Sequence, residues 1–422
     1  MRDTADSLNT RSNGVAAAPR IRRRILKAIG LTTLTVVLLG GVFAMAFIAS
    51  GWESFGEFPQ GERLTRIEGS PHWRSENGRF ENPQPQWSDI SGAYWQLFFG
   101  EKAVAPKPAL PVPVFTGTAE TLRVPPRSGL RVTWFGHSSA LVEIDGHRVL
   151  IDPLWSERPS PVSWLGPKVW FPPPVALEHL GPIDAVVISH DHYDHLDRAT
   201  VLALLPTETI FAVPLGVGAH LARWGIPDNR IVELDWWQST SVGGIEITAT
   251  PARHASGRIS THSSKAFWAS YAVIGPSHRV WYSGDSGFHD DLARIGERYG
   301  PFDLTLVDVG QYNSLWPDAH FGPELAVEAH RQVRGKAMLP VHWGNLALAE
   351  HGWTEPVERT LTAAECRHVT VLTPRPGEAV EPSLHTRITR WWPQVPWEKA
   401  AQSPLIGTKS GRPEERLSVP EC

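Results

Sequence analysis

Histidine and aspartate side chains are concentrated in one short segment, His190-Asp191-His192-Tyr193-Asp194-His195. This segment directly follows Ile183–Ser189, an apolar run typical of a strand buried on both faces. A turn leaving such a strand can direct the first two histidines to one metal ion and the last two residues to a second. Imidazole nitrogen and carboxylate oxygen are both zinc ligands. A surface loop or a helix cap is the alternative, but three imidazoles and a carboxylate at a strand exit have no packing role.

Three later residues also lie just after predicted strands: His254, Asp285 and His342 each follow an apolar run within a few residues. In α/β sheets, ligands collect in the crevice outside the carboxyl ends of the strands. The pattern therefore predicts two metal ions, about 3.5–4 Å apart, that share a bridging hydroxide and hydrolyse an ester. We expect Asp191 and Asp197 to support the ligands or a helix dipole rather than to bind metal.

The elements that must position these residues alternate between short apolar strands and helical stretches. Mixed sheets covered by helices predict an α/β layered architecture. The predicted strands are Arg131–Phe135, Ala140–Ile144, Arg148–Ile151, Ile183–Ser189, Ile210–Val213, Gly244–Thr250, Trp268–Ile274, Arg279–Ser283, Leu304–Val307 and Ala337–Val341. The predicted helices are Leu196–Leu205, Asp290–Tyr299 and Pro323–Val333.

Composition restricts the class of protein. The chain has 422 residues, which suffices for a large core, and a formal net charge of -4 without a basic stripe, so we expect no nucleic-acid partner. Two cysteines are too few for a thiolate zinc site, so any metal must bind to imidazole and carboxylate. The 19 tryptophans are compatible either with a lipid-facing surface or with core and loop packing.

The amino-terminal region carries a candidate membrane segment. Residues 1–24 read as a disordered cytoplasmic tail that ends in Arg22-Arg23-Arg24, and residues 25–50 as a transmembrane anchor. The positive-inside rule then places the catalytic part on the non-cytoplasmic side, periplasmic or extracellular. A signal peptide cleaved near Ala44-Met45-Ala46 is the alternative, and it also exports the catalytic part.

The rest of the chain divides into three parts by composition. Residues 51–128 are rich in Pro, Gly and Trp, and we predict an irregular arm with a short helix near Ile90–Phe99. Residues 129–382 contain all predicted strands and form the catalytic domain. Residues 383–422 predict a loosely packed carboxyl-terminal tail.

The motif His-x-His-x-Asp-His with later His, Asp and His residues resembles the metallo-β-lactamase superfamily. Flanking segments over about residues 60–380 are more specific, and they resemble the N-acyl-phosphatidylethanolamine phospholipase D family. These segments are Trp134-Phe135-Gly136-His137-Ser138, Ile151-Asp152-Pro153, Pro182-Ile183-Asp184-Ala185-Val186, Glu233-Leu234-Asp235-Trp236-Trp237, Gly300-Pro301-Phe302-Asp303-Leu304 and His342-Trp343-Gly344. The resemblance implies a four-layer αββα sandwich, two zinc ions, and hydrolysis of a membrane phospholipid to N-acylethanolamine and phosphatidic acid.

The resemblance also implies roles for individual residues. The first zinc would be held by His190, His192 and His254. The second would be held by Asp194, His195 and His342, and Asp285 would bridge the two ions in catalysis. His320 would lie beside the substrate phosphate and act in catalysis, and Tyr193 would line the same cleft. His137 and Asp152 would orient the ligands.

Three departures from the animal members of the family bear on the substrate. Asp191 and Ala319 stand where the animal enzymes have an amide and a glutamine, and a membrane segment replaces their peripherally bound amino terminus. These differences leave open the acyl-chain and head-group preference, and dimerisation is expected only by analogy. Two other functions stay open: a lactonase or soluble-substrate phosphodiesterase on the same fold, and a membrane-tethered metal-binding scaffold without turnover.

Overall fold

A computed structural model of the chain describes residues 18–259, 263–384 and 388–417. It contains two compact units, Met1–Trp52 and Glu53–Cys422, which are described separately. Among the described residues of the first unit, 18–52, the regular element is helix α1 (Ala18–Gly51). Its stretch Ile21–Gly51 is long and apolar enough to cross a membrane, and a signal sequence near an amino terminus has the same properties.

Helix α1 begins earlier than the predicted anchor. Residues 18–24, which we assigned to a disordered tail, are helical, because the arginines there are good helix formers. The rest of the predicted tail, residues 1–17, lies outside the described residues.

The strands of the second unit form two large sheets and one small ribbon. The ribbon pairs β1 (Trp73–Arg74) with β2 (Arg79–Phe80). The other strands are β3 (Leu130–Gly136), β4 (Ser139–Ile144), β5 (His147–Ile151), β6 (Ala185–Val187), β7 (Ile210–Pro214), β8 (Ile231–Leu234), β9 (Ser239–Val242), β10 (Ile245–Thr250), β11 (Ser270–Ile274), β12 (Arg279–Tyr282), β13 (Leu304–Asp308), β14 (Ala337–Val341), β15 (Thr370–Val371) and β16 (Ala379–Val380). The first sheet has the order β16-β3-β4-β5-β6-β7-β8, and the second has the order β15-β14-β13-β12-β11-β10-β9.

The helices of this unit lie between and around the strands. They are α2 (Gly61–Glu68), α3 (Ile90–Phe99), α4 (Thr118–Thr121), α5 (Arg198–Ala203), α6 (Val217–Arg223), α7 (Leu292–Tyr299), α8 (Gly322–Gln332) and α9 (Glu355–Arg367), with 3-10 turns at Leu177–Leu180 and Asp228–Arg230. Helix α3 has the bounds that the sequence predicted. The elements that were not predicted are helices α2, α4, α6 and α9 and strands β1, β2, β8, β9, β15 and β16.

Alternation along the strands explains the layers. In β4, Ala140 and Val142 face a core shared with strands of the second sheet, whereas Leu141 faces a separate core with α5 and α6. On the other side, α8 packs against β13, so that helices cover both outer faces. The predicted four-layer αββα sandwich is therefore confirmed. The largest fully buried side chains include Trp134, Trp268, Trp281 and Trp343, so many tryptophans serve core packing.

The described part of the carboxyl-terminal tail, residues 388–417, is mostly exposed, but it is anchored to the domain at a few positions that the prediction of a loose tail did not include. Trp391 stacks on Trp343 with ring centroids 5.5 Å apart. Thr408 donates from its backbone nitrogen to Asp318 (2.6 Å), and its carbonyl accepts from Arg253 (2.8 Å). Arg253 and Asp318 form a buried ion pair at 3.1 Å. We call Arg253, Asp318 and Thr408 the tail clasp.

Candidate metal centre

The candidate ligands lie just beyond the carboxyl ends of strands from both sheets. His190 follows β6 of the first sheet, and His254, Asp285 and His342 follow β10, β12 and β14 of the second. Each of these four residues lies within four positions of the end of its strand, because the apolar run stops where the chain leaves the sheet. The structure thus brings together the seven side chains that the sequence singled out.

One group consists of His190, His192 and His254. Their ligand-type nitrogens all lie within 4.8 Å of one another. His190 Nε2 is 2.8 Å from His192 Nδ1, and His254 Nε2 is 3.4 Å from the same atom. His254 Nδ1 donates to the carbonyl of Ala319 at 2.9 Å, which fixes the ring with Nε2 towards the group.

A second group surrounds the carboxylate of Asp194. Asp194 Oδ2 is 3.3 Å from His195 Nε2 and 3.4 Å from His342 Nε2. His137 Nε2 lies 2.8 Å from the same oxygen and is fully buried. These four side chains again place one ligand atom each within 4.8 Å of the others. Two groups of metal-type side chains therefore lie side by side.

Asp285 lies between the two groups. Its Oδ2 atom is 3.1 Å from His195 Nε2 and 3.3 Å from His342 Nε2. The same oxygen is 3.8 Å from Nε2 of both His190 and His254. One carboxylate therefore faces side chains of both groups.

Three buried polar atoms of these groups make no hydrogen bond of regular geometry to a described residue, namely His137 Nδ1, His195 Nε2 and Asp285 Oδ1. Such orphaned atoms are rare in folded proteins, and a bound cation is one of the few partners that accounts for them. Imidazole and carboxylate also form a donor set that suits zinc and related ions. The residues present therefore fit a metal centre.

Burial sets the protonation of the first group. Desolvation, and then the neighbouring histidines, lower the pKa of His190 well below its usual value. Desolvation also lowers the pKa of His254, against the influence of Asp285. Both rings are therefore held neutral, which is the form that binds metal.

The second group balances buried charges. Burial alone would lower the pKa of His342, but Asp285 and Asp308 raise it to about 10. Burial alone would raise the pKa of Asp285, but His195 and His342 hold it well below its usual range. The Asp285 carboxylate is therefore negative, and a metal cation would take over the role of the protons on these rings.

Asp152 helps to orient histidines of both groups. Its Oδ2 atom is 2.6 Å from His195 Nδ1, so the ring presents Nε2 to the cluster. Its Oδ1 accepts from the backbone nitrogen of Ser189 at 2.7 Å, and the Ser189 hydroxyl lies 2.9 Å from His190 Nδ1. Asp152, His137 and His342 all have left-handed backbone angles (φ 35, 50 and 65°), a strain that the surrounding contacts must hold.

Asp308, which the sequence did not single out, holds two further rings. Its Oδ1 is 3.1 Å from His342 Nδ1, and its Oδ2 is 2.8 Å from His320 Nδ1. Asp308 ends β13, the strand beside β14, and it is fully buried. The sequence offered one signal for Asp308, namely a carboxylate directly after a predicted strand. It did not show that this strand would lie beside β14, which places Asp308 next to His342.

His320 joins the cluster at its edge. Its Nδ1 is 3.9 Å from Asp285 Oδ2, and the Asp308 bond to the same nitrogen leaves Nε2 as the atom that can contact a substrate. Tyr193 does not join it. The Arg258 guanidinium lies 4.0 Å from the centre of its ring, and Tyr193 lines a separate cavity of about 200 Å³ beside α5. None of the seven candidate ligands lines that cavity among the described residues, so the geometry does not support the expected contact of Tyr193 with substrate.

The two aspartates set apart by the sequence do not face the cluster. Asp191 Oδ2 is 3.1 Å from His220 Nε2, and its Oδ1 accepts from the backbone nitrogen of Gly257 at 2.6 Å. Asp197 is the N-cap of α5, where its side chain accepts from Ala199. Both therefore fix backbone around the ligands.

Comparison with known proteins agrees with this arrangement. A family model described as beta-lactamase superfamily domain matches residues 147–343, which include the seven candidate ligands. An uncharacterized protein of Mycobacterium tuberculosis is 48% identical over 340 residues, covering 77% of this chain and 88% of that protein.

Two more distant relatives carry functional names. N-acyl-phosphatidylethanolamine-hydrolyzing phospholipase D 1 of Caenorhabditis elegans is 38% identical over 245 residues, covering 55% of this chain and 68% of that protein. A metal-dependent hydrolase of Caldivirga maquilingensis is 28% identical over 255 residues, covering 58% of this chain and 96% of that protein.

Proposed function

This chain belongs to the metallo-β-lactamase superfamily of metal-dependent hydrolases, and within that family we propose that it is a phosphodiesterase of phospholipase D type. Its substrate would be an N-acyl-phosphatidylethanolamine in a membrane. Water would add at phosphorus and the bond to the ethanolamine oxygen would break, giving an N-acylethanolamine and phosphatidic acid.

The observation that carries the proposal is the position of Asp285 between two groups of ligand-type side chains. One oxygen of this residue lies within 4 Å of nitrogens from both groups. Such an arrangement suits two zinc ions held by His190, His192 and His254 and by Asp194, His195 and His342. Two ions so held would supply a nucleophile at neutral pH and would offset the negative charge of a phosphodiester.

The chain's own residues would complete the chemistry. Asp308 accepts the Nδ1 proton of His320, so Nε2 faces the substrate side; with the ring doubly protonated, Nε2 would donate to a phosphate oxygen or to the departing alcohol oxygen. Asp152 and Asp308 fix the rings of His195 and His342, so that the site is formed before substrate binds. His320 is one-tenth exposed or less, so water has little access to this side of the site.

A lipid substrate is supported by two independent features. Helix α1 is long and apolar enough to hold the chain at a membrane, where a phospholipid is at hand. The Caenorhabditis elegans relative, at 38% identity, is named for hydrolysis of N-acyl-phosphatidylethanolamine. A lactonase or an enzyme for soluble phosphodiesters on the same fold is the alternative.

The test uses the full-length chain in detergent micelles with four substrates: N-acyl-phosphatidylethanolamine, phosphatidylethanolamine, an acyl-homoserine lactone and bis(p-nitrophenyl) phosphate. The reaction is run in water enriched in oxygen-18, and the products are identified by mass spectrometry. We expect release of N-acylethanolamine, with the label in the phosphate of phosphatidic acid.

Other product patterns would decide against the proposal. Release of diacylglycerol would mean cleavage at the glycerol side of the phosphorus. Hydrolysis of the lactone alone would identify a lactonase, and cleavage of the small phosphodiester alone would identify a soluble-substrate enzyme. Metal binding without cleavage of any substrate would identify a scaffold without turnover.

A further inference from the structure

The segment that follows α1, Glu53–Phe58, is bonded to the catalytic unit by its backbone. We call it the junction segment. The carbonyl of Glu53 accepts from Trp224 Nε1 at 2.7 Å, and the carbonyl of Ser54 accepts from Arg258 Nε at 2.7 Å. The backbone nitrogen of Glu57 donates to His220 Nδ1 at 3.0 Å. Backbone bonds of this kind fix the path of the chain whatever its side chains are.

Helix α6 offers one face to this segment. His220, Arg223 and Trp224 are three and four residues apart, so they lie on the same side of the helix. Arg223 Nη1 is 2.7 Å from the Glu57 carboxylate. The junction segment therefore docks on a rigid element rather than on a loop.

Two of the docking residues also contact the loop that carries metal ligands. We call residues 190–196 the metal loop. The buried Arg258 donates through Nη1 to the carbonyl of Asp191 and to that of Leu196, both at 2.9 Å. Its guanidinium also lies 4.0 Å from the ring centre of Tyr193. One side chain therefore joins both ends of the metal loop to Ser54.

His220 makes the second connection. Its Nδ1 accepts from Glu57, and its Nε2 lies 3.1 Å from Asp191 Oδ2. Asp191 is buried and stands directly between His190 and His192. Since Glu57 supplies an N–H to Nδ1, the tautomer of the ring is set with its proton on Nε2, towards Asp191. The junction segment thus determines which nitrogen of His220 faces the metal loop.

From these contacts we propose that the junction segment is a positioning element for the metal loop, acting through His220 and Arg258. Release of the segment from α6 frees the backbone around Asp191 and so weakens metal binding by His190 and His192. The inference depends on the metal centre and not on which ester the chain cleaves.

Gly56 provides the sharpest variant. Its φ is 77°, and a Cβ built on it would lie 2.0 Å from His220 Nδ1, so Gly56→Ala must displace either the segment or the imidazole. Gly61→Ala is the matched control, because Gly61 has a φ of 57° with nothing within 4 Å of the added Cβ. The two variants share the backbone strain of an alanine at positive φ, and only the first has the clash.

The experiment measures Zn²⁺ affinity of the full chain, stripped with a chelator and titrated with zinc against a competing chelator. We expect Gly56→Ala to weaken the zinc site of His190 and His192 by about 10–100-fold, as loss of residues supporting a metal ligand generally does. Gly61→Ala should bind zinc like the unaltered chain. Backbone amides of residues 190–196 should also exchange hydrogen faster in Gly56→Ala than in Gly61→Ala.

A merely structural effect has a different signature. It would lower the Tm of the zinc-free form in Gly56→Ala and leave the rise in Tm on adding zinc unchanged, which would overturn the proposal. Equal zinc affinity and equal amide exchange in the two glycine variants would overturn it as well. If Gly56→Ala does not fold, His220→Asn, which loses contact with both Glu57 and Asp191, replaces it with the same expected loss of zinc affinity.

Discussion

Asp285 Oδ2 lies 3.1 Å from His195 Nε2, although the two residues follow strands of different sheets. His195 is delivered after β6 of the first sheet and Asp285 after β12 of the second. The site therefore exists only where the two sheets of the sandwich meet, and neither half of the domain contains it alone. Metal binding is for this reason coupled to the packing of the whole core.

Replacement of Asp285 by asparagine tests the shared carboxylate. Asp285→Asn keeps the shape of the side chain but removes the negative charge between the two groups. We expect bound zinc to fall and the rate of phosphodiester hydrolysis to drop by orders of magnitude, because the charge that stabilises the transition state is lost. Elemental analysis and a phosphodiester assay measure the two effects. Asp290→Asn, five residues along and exposed, is the control, and full zinc content with a full rate in Asp285→Asn would contradict the two-metal interpretation.

Replacement of Asp308 tests a residue that is not one of the expected metal ligands but contacts His342, which is. Asp308→Asn should weaken zinc binding by about 10–100-fold, because the amide replaces one of the two acceptor oxygens, so that either His342 or His320 faces an NH2 group in place of a carboxylate oxygen. Competition with a chelator measures the affinity. Asp303→Asn, which precedes the same strand and pairs with the exposed Lys336, should bind zinc normally. Equal affinities in the two variants would show that Asp308 does not orient the ligands.

The tail clasp should contribute to global stability. Thr408→Val keeps the volume of the side chain but removes the hydroxyl that bonds Asp318 Oδ2 at 2.6 Å. The buried carboxylate keeps its bonds to Trp87 and Arg253 but loses one charge-assisted hydrogen bond, so we expect the free energy of unfolding to fall by about 1–3 kcal/mol. Urea unfolding followed by tryptophan fluorescence measures the change. Thr362→Val, on the exposed side of α9, should change the stability far less.

Acid should destabilise the fold partly through His330. Burial, and then Arg331, lower its pKa to about 4 from 6.5, so between these values the unfolded chain binds more protons than the folded one. The contribution of His330 is therefore complete above pH 6.5 and is lost as the pH falls towards 4, by up to roughly 3 kcal/mol. His330→Asn should give a flatter dependence of the unfolding free energy on pH in this range, whatever its stability at neutral pH. Parallel curves for the variant and the unaltered chain would refute this.

The sequence predicts well which ligands lie at strand ends, because a strand and the residue that follows it are neighbours in the chain. His190 and His342 could be placed at the carboxyl ends of their strands from local apolar runs alone. Asp308 could not be assigned a role, since its importance comes from the pairing of β13 with β14 across an intervening helix. The local sequence pattern indicates which residues follow the end of a strand, but it does not indicate which strands pair with each other in the sheet.

The two flanking regions show the same limit. Residues around Trp391 and Thr408 have no strand or helix periodicity, and composition alone indicated a loose tail. Their order comes from partners far along the chain, the indole of Trp343 and the carboxylate of Asp318. In the amino-terminal arm, the local sequence indicated one helix, Ile90–Phe99, and this helix was predicted with its observed bounds.

The tail clasp also imposes an order on biosynthesis. Thr408 leaves the ribosome 155 residues after Arg253 and 90 residues after Asp318, and both partners are buried in the finished fold. A nascent chain that already contains every candidate ligand still lacks the segment that satisfies the ion pair next to His254. The contacts of Arg253, the residue beside His254, are therefore complete only once residue 408 has been synthesised.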